Sequence, residues 1–336
     1  MENHHLSITT VHKIYIVIAS LSCLMGENIP KRVWKIMRCP LCGGLLSRTA
    51  DIAKCTGCSD EYNFSDKGQL DLRLRRKKQY QLQFELGAEL LPNGFDFKTL
   101  QKNPTPEVDF TGLKTPWHLT EELMSYFPKA RSNESIMLDI GCGSTVHREI
   151  CEHAGFSYVG FDYNSSETPI LGDAHALPFK DNSFEFILSI AVLEHIQNPF
   201  IMMKEAYRVL KPDGRFIGSV AFLEPFHGNS FYHHSHLGIF NSLKFAGFEI
   251  QRISPSPGWN ALIAEASMCL FPGLPHRLSE FLIQPLNLFH RFWWRLAYAI
   301  THAYNVSESY RLLSNSGAFY FIATKKEKNT PLKNTS

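Results

Sequence analysis

Three aspartates fall where short apolar runs give out: Asp139 in Leu138-Asp139-Ile140-Gly141-Cys142-Gly143, Asp162 after Phe161, and Asp173 in Leu171-Gly172-Asp173-Ala174. Carboxylates at the ends of neighbouring strands can hold a cationic or hydroxyl-rich ligand. The glycines of the first segment let backbone approach it closely. Sulfur is the second resource. Cys39-x-x-Cys42 and Cys55-x-x-Cys58 form two chelating pairs with Gly43-Gly44 and Gly57 beside them. Four thiolates so spaced match a closed, tetrahedral structural zinc site, and a redox dithiol is the alternative. The third resource is imidazole: His227, His233, His234 and His236 crowd ten residues that also hold Tyr232.

The glycine turn poses a choice of ligand. A dinucleotide site needs GxGxxG and sets a pyrophosphate against a helix N-terminus. Here the third glycine is missing, and Asp139 would repel a pyrophosphate. A carboxylate suits an ammonium group instead, directly or through water, so the sign of the charge favours S-adenosylmethionine. On that reading Asp139 meets the methionine end, Asp162 accepts from the ribose hydroxyls and Asp173 from the adenine amino group. Ser189 and Ile190 end the fourth strand beneath the sulfur. Leu177-Pro178-Phe179 and Asn182-Ser183-Phe184 supply a turn and an apolar wall for adenine. Each acid alone could merely cap a helix; three at successive strand ends point to a nucleoside.

Positioning these groups takes strands alternating with helices. Strand candidates are 136–140, 158–161, 184–190, 215–221, 248–253 and 318–324; helical spacing covers 146–154, 199–210 and 237–246. Asn198 can cap the central helix, Pro199 fits its first turn, and Lys211-Pro212-Asp213-Gly214 ends it. Such alternation implies a parallel, doubly wound sheet. Only seven residues separate Asp162 from Ile170, so that crossover must be a loop.

The segments LDIGCGS, VGFDY, GDAHALPF, DNSFEFILSIAVLEHIQNP and EAYRVLKPDGRF resemble the class I S-adenosylmethionine-dependent methyltransferases, in the branch that includes quinone-biosynthesis and glycan- or natural-product-modifying enzymes. The resemblance covers about residues 135–254 and the last strand. It implies an α/β, Rossmann-like, seven-stranded, mostly parallel sheet with helices on both faces, and cofactor-binding roles for Asp139, Gly141, Gly143, Asp162 and Asp173. Cys142, Tyr163 and Ala174, each beside one of these, count with the site. Thr145 stands where the family's third glycine falls. The cysteine segment looks like the zinc ribbon that fronts some methyltransferases, among them a ribosomal RNA guanine methyltransferase.

Methyl transfer requires a positioned nucleophile and, for a hydroxyl or amine, a proton acceptor. His227, Tyr232 and His233 lie where this fold usually meets its acceptor, and His195 of Glu194-His195 is a further candidate. The plainer alternatives are a polar loop of mutually contacting histidines and a His195 that only shapes the pocket. A second metal on these histidines is a further option.

The domain reading is a poorly ordered leader to residue 35, a zinc-ribbon-like module at 36–72, and a linker with lid helices at 73–134. The methyltransferase domain then spans 135–325, with a helical insertion at 255–315 and a disordered tail at 326–336. The apolar run Ile14 to Met25 is too short to cross a bilayer. It reads as a leader, a membrane-touching segment or the product of an upstream start, with export a further alternative.

A net charge of +2 and an unremarkable composition argue against a dedicated nucleic-acid binder. The run Arg73, Arg75, Arg76, Lys77, Lys78 reads as a solvated linker or an RNA contact. The insertion's Leu, Phe and Trp, broken by arginines, make either a lid or a membrane-interface contact through 265–300. The expected function is methylation of a hydroxyl, amine or carbon of a small-molecule, glycan or lipid-linked acceptor, at a cytoplasmic location or the membrane surface. No protein partner is implied. RNA base methylation and a non-catalytic binding role are the alternatives.

Overall fold

The computed structural model describes residues 29–49, 51–85, 97–256 and 258–326. Residues 1–28, with most of the expected leader, lie outside that range, as do 327–336. The leader was expected to run to residue 35, but Lys31–Ile36 form helix α1, and Val33 and Met37 are buried. The antiparallel strands β1 (Leu46–Arg48), β2 (Ile52–Cys55) and β3 (Glu61–Asn63) follow, then β4 (Leu70–Leu72).

The stretch expected to hold lid helices contains one short helix among its described residues, α2 (Glu121–Met124). Thr120 caps it by accepting from the Leu123 N–H at 3.2 Å, a contact worth about 1 kcal/mol.

Period-2 alternation then builds the sheet. In β5 (Ile136–Ile140), Ile136, Leu138 and Ile140 enter one core cluster, while Met137 enters the cluster on the opposite face. Helix α3 (Arg148–His153) and strand β6 (Ser157–Phe161) come next, then β7 (Ile170–Gly172), β8 (Phe184–Ile190) and α4 (Pro199–Val209). The chain ends with β9 (Leu210–Ala221), α5 (His236–Ala246), β10 (Glu249–Pro255), α6 (Ala261–Glu265), α7 (His276–Thr301), α8 (Glu308–Ser314) and β11 (Ala318–Thr324). Helices α4 and α5 cover the first face, and α2 and α3 the second.

One expectation about the sheet is corrected: among the described residues it has six strands, in the order β10-β11-β9-β8-β5-β6, rather than seven. It is mostly parallel, as expected: β6, β5, β8 and β9 run parallel, and β11 alone runs against its neighbours β9 and β10. The missing seventh strand is β7, which touches β6 through one bridge, Asp162 to Leu171, and pairs in parallel with β4 of the cysteine segment. The loop expected between Asp162 and Ile170 is present.

The cysteine segment also shares the main core. Arg38 N–H donates to the Pro178 carbonyl, Lys180 N–H to that of Ile36, and Met37 bridges Phe179. The Leu177–Phe179 triplet, expected as an adenine wall, docks this segment instead. The turn expected after α4 survives as a bulge inside β9. Leu210 pairs with Phe184 and Arg215 with Phe186, so residues 211–214 loop out with Asp213 at φ 57°.

Candidate active site

At the carboxyl ends of the parallel strands lies a cavity of about 850 Å³, lined by Gly141, Asp162, Asp173, Ala174, His195 and the segment Asn229–Phe231, among others. Ligands of open α/β sheets bind in this position, and the volume suits a nucleoside with a second reactant.

Gly141 turns the chain out of β5 at φ 73°, where a Cβ would stand 2.3 Å from Val192 Cγ2, so no other residue fits. Gly143, at φ 50°, presents its N–H to Asp162 Oδ2 at 2.9 Å. Asp162 Oδ1 accepts from the Asn164 N–H at 2.8 Å, which fixes the carboxylate at the rim. Each oxygen keeps a lone pair for a hydroxyl.

Asp173 caps the next turn, accepting from the His175 N–H at 2.9 Å and from its Nδ1 at 2.6 Å. Burial pushes the Asp173 pKa up, but these His175 contacts outweigh it and hold the carboxyl below its ordinary value. His175 Nε2 in turn accepts from the Asn198 N–H at 3.0 Å. That contact ties the site to the start of α4.

Asp139 lies apart from the cavity wall. Ile140, not Asp139, ends β5, so the alternation turns the Asp139 side chain to the Met137 face, fully buried. Its Oδ2 accepts from Tyr158 Oη at 2.7 Å and meets His147 Nδ1 at 3.3 Å. His147 Nε2 faces the Trp117 carbonyl at 3.3 Å. Burial works against charge on His147, yet Asp139 wins and raises its pKa. Asp139 Oδ1 has no partner. That single orphaned oxygen is what remains for an ammonium or a bridging water.

Of the other predicted cofactor residues, Tyr163 and Ala174 line the cavity, while Cys142, Ser189 and Ile190 are buried beside it. Cavity residues that sequence reasoning missed include Val192, Gln197 and the Asn229–Phe231 segment. Only the Asn229–Phe231 segment, inside the histidine-rich stretch, carried a signal.

The predicted basic groups separate. His195 lines the cavity; the His227 ring stands 5.3 Å from it, and that of His233 5.9 Å from His227. Tyr232 is half exposed and does not line the cavity. Burial and the neighbouring His227 ring hold the His195 pKa below its ordinary value, so the ring is neutral and can accept a proton near pH 7. Ligating atoms of Glu194, His195 and His227 fall within 4.8 Å of one another.

Glu194 is buried with Oε2 unpartnered. Burial, reinforced by the Glu224 carboxylate, pushes its pKa from 4.5 up to about 7. The folded state therefore retains a proton that the unfolded chain releases near pH 4.5, and stability should fall as pH rises from there to about 7, then level off. The shift corresponds to about 3 kcal/mol. Melting temperatures across this range should decline more steeply for the wild type than for Glu194→Gln; parallel curves would refute the assignment.

In the cysteine segment, sulfurs of Cys39, Cys42, Cys55 and Cys58 lie within 4.8 Å of one another, with Cys39–Cys58 at 3.7 Å and Cys42–Cys55 at 3.4 Å. A tetrahedral zinc–thiolate site places its sulfurs about 3.8 Å apart, so the donor set fits. N–H groups of Gly44 and Gly57 point at Cys42 and Cys55 sulfur. A Cβ at Gly44 would come within 2.9 Å of Cys55 Sγ. Most of the basic run nearby is engaged within the chain: Arg73 pairs with Asp71, Arg76 with Asp60, Arg75 donates to the Glu61 carbonyl and Lys78 to that of Pro40.

The methyltransferase domain family matches residues 138–218. An uncharacterized methyltransferase of Mycobacterium marinum is 31% identical over 128 residues, covering 33% of this chain and 50% of that protein. The mitochondrial arginine-hydroxylase NDUFAF5 of Danio rerio is 29% identical over 97 residues, covering 25% and 30%. A chain from the complex of the Haloferax volcanii Trm112 methyltransferase activator with a methyltransferase is similar at 16% identity, covering 63% of this chain and 90% of that one, with a TM-score of 0.42. This chain spans 40–50% of the length of its mycobacterial relatives. Residues 138–218 form a methyltransferase domain.

Proposed function

We propose that this protein transfers a methyl group from S-adenosylmethionine to a hydroxyl, amine or carbon of a small-molecule, glycan or lipid-linked acceptor. The observation that carries the reading is the cavity, where the Gly141 turn, Asp162 and Asp173 meet one wall and His195 another. When bound, S-adenosylmethionine supplies an electrophilic methyl on a sulfonium. Asp162 would hold the ribose hydroxyls, Asp173 the adenine amino group, and Asp139 Oδ1 the ammonium through water.

For a hydroxyl or amine acceptor, neutral His195 takes the proton as the nucleophile attacks. His227 and His233 stand behind it and tune its charge. RNA methylation is less well supported, because most of the basic run is engaged within the chain. The four cysteines are proposed to hold zinc as a structural ion, with no open position for chemistry.

Calorimetric titration with S-adenosylhomocysteine tests the reading: one site per chain is expected, with no competition from a dinucleotide. Saturable dinucleotide binding at the same site would overturn it. With an acceptor in hand, His195→Gln should lower turnover by about a hundredfold or more while cofactor binding changes little. Unchanged turnover would leave His195 a packing residue.

A further inference from the structure

Helix α7 is built inside out. Its 26 residues, about 39 Å long, turn Ser279, Ile283 and Asn287 toward the protein, where Asn287 Oδ1 accepts from Asn260 Nδ2 at 3.1 Å. The opposite face repeats large apolar side chains at helical spacing, among them Phe281, Leu282, Phe289, Phe292, Trp293 and Ile300. All six are exposed, Phe281 and Ile300 by more than 70%. A lid would turn this stripe toward the sheet. Here the stripe faces away, and it exceeds the scattered apolar exposure ordinary for a soluble surface.

We propose that α7 seats the protein on an anionic lipid bilayer, with its apolar stripe in the interface. Charge argues for this occupant. Arg277, Arg291 and Arg295 are exposed on the helix, against a single acid, Glu280, which lies 3.6 Å from His276. Aromatic and aliphatic side chains on one face, with arginines beside them, are the composition of an interfacial helix. Among the described residues no helix is long and apolar enough to cross a membrane, which fits a helix lying along the surface.

A chain of side-chain contacts links the seat to the cavity-lining His195. His276, at the start of α7, stacks on Trp259, whose Nε1 donates to Glu224 at 2.7 Å, and Glu224 lies 3.8 Å from His227. The bilayer-facing helix thus begins on the side of the cavity where His227 backs His195. An acceptor held in the bilayer would enter from that side.

Co-sedimentation of the full chain with vesicles tests this without any methyl donor, so it stands or falls apart from the catalytic reading. With equimolar phosphatidylcholine and phosphatidylglycerol the protein should pellet, with a blue shift in Trp293 emission that Trp293→Ser removes. Phe289→Ser with Trp293→Ser should weaken partitioning at least about tenfold. Both side chains are exposed, so the melting temperature should hold. Arg291→Gln and Arg295→Gln should each cost about fivefold on anionic vesicles. Wild-type protein left in the supernatant, or a Phe289/Trp293 variant that pellets undiminished, would overturn the proposal. A dimer that dissociates in that variant, with no vesicle binding in the wild type, would assign the face to a second copy of this chain instead.

Discussion

Asp162→Ala should weaken S-adenosylmethionine binding by about a hundredfold, because hydrogen bonds to a charged acceptor contribute about 1.5–3 kcal/mol each. The site makes a strong effect reasonable. Asp162 is a rim carboxylate held from two sides, by the Gly143 N–H and the Asn164 N–H. Its orientation is set before a ligand arrives, so little ordering cost is left for binding. The variant also frees the Gly143 N–H and loosens the turn that would face the methionine moiety. Titration calorimetry on the variant, alongside its melting temperature without ligand, separates the two contributions. An affinity within threefold of wild type would remove Asp162 from the donor's site.

The second large effect concerns sulfur. Cys39→Ser with Cys42→Ser should abolish the zinc content, expected at about one ion per chain, and lower the melting temperature by at least about 10 °C. Four thiols this close, where three short antiparallel strands meet, would be bound together by the ion. Cys39, Cys55 and Tyr62 are buried in the same cluster as β5 and β8 residues, so the loss would not stay local. Metal analysis of protein purified without chelators gives the first number and calorimetry the second. Metal-free wild-type protein with an undiminished melting temperature would contradict both.

The sequence made the centre of the sheet legible because its strands are short, apolar and bounded by turns. Residues 136–140, 184–190 and 318–324 are strands with the expected limits. The edge was less legible. The pairing of β7 with β4 joins residues about 100 positions apart, and three-residue strands carry no periodicity to announce it. Leu177–Phe179 misled for a related reason, since an apolar triplet looks the same whether its neighbour is a base or Met37. Asp139 shows the limit at the site itself. One residue decides whether a side chain ends a strand at the rim or turns to the opposite face. His147 and Tyr158, which engage it there, were not foreseeable from spacing. His195 was legible as a candidate, but its separation from Tyr232 depended on a loop conformation that no pattern encodes.

The pairing of β4 with β7 bears on how the chain could be divided. A fragment beginning near residue 135 would keep the glycine turn and all three aspartates yet bare the outer backbone of Ile170–Gly172, along with the greasy surface around Phe179. Uncapped strand borders recruit one another, so such a fragment should clump rather than stay dispersed. The cysteine segment then acts as a hem that keeps the molecule to itself.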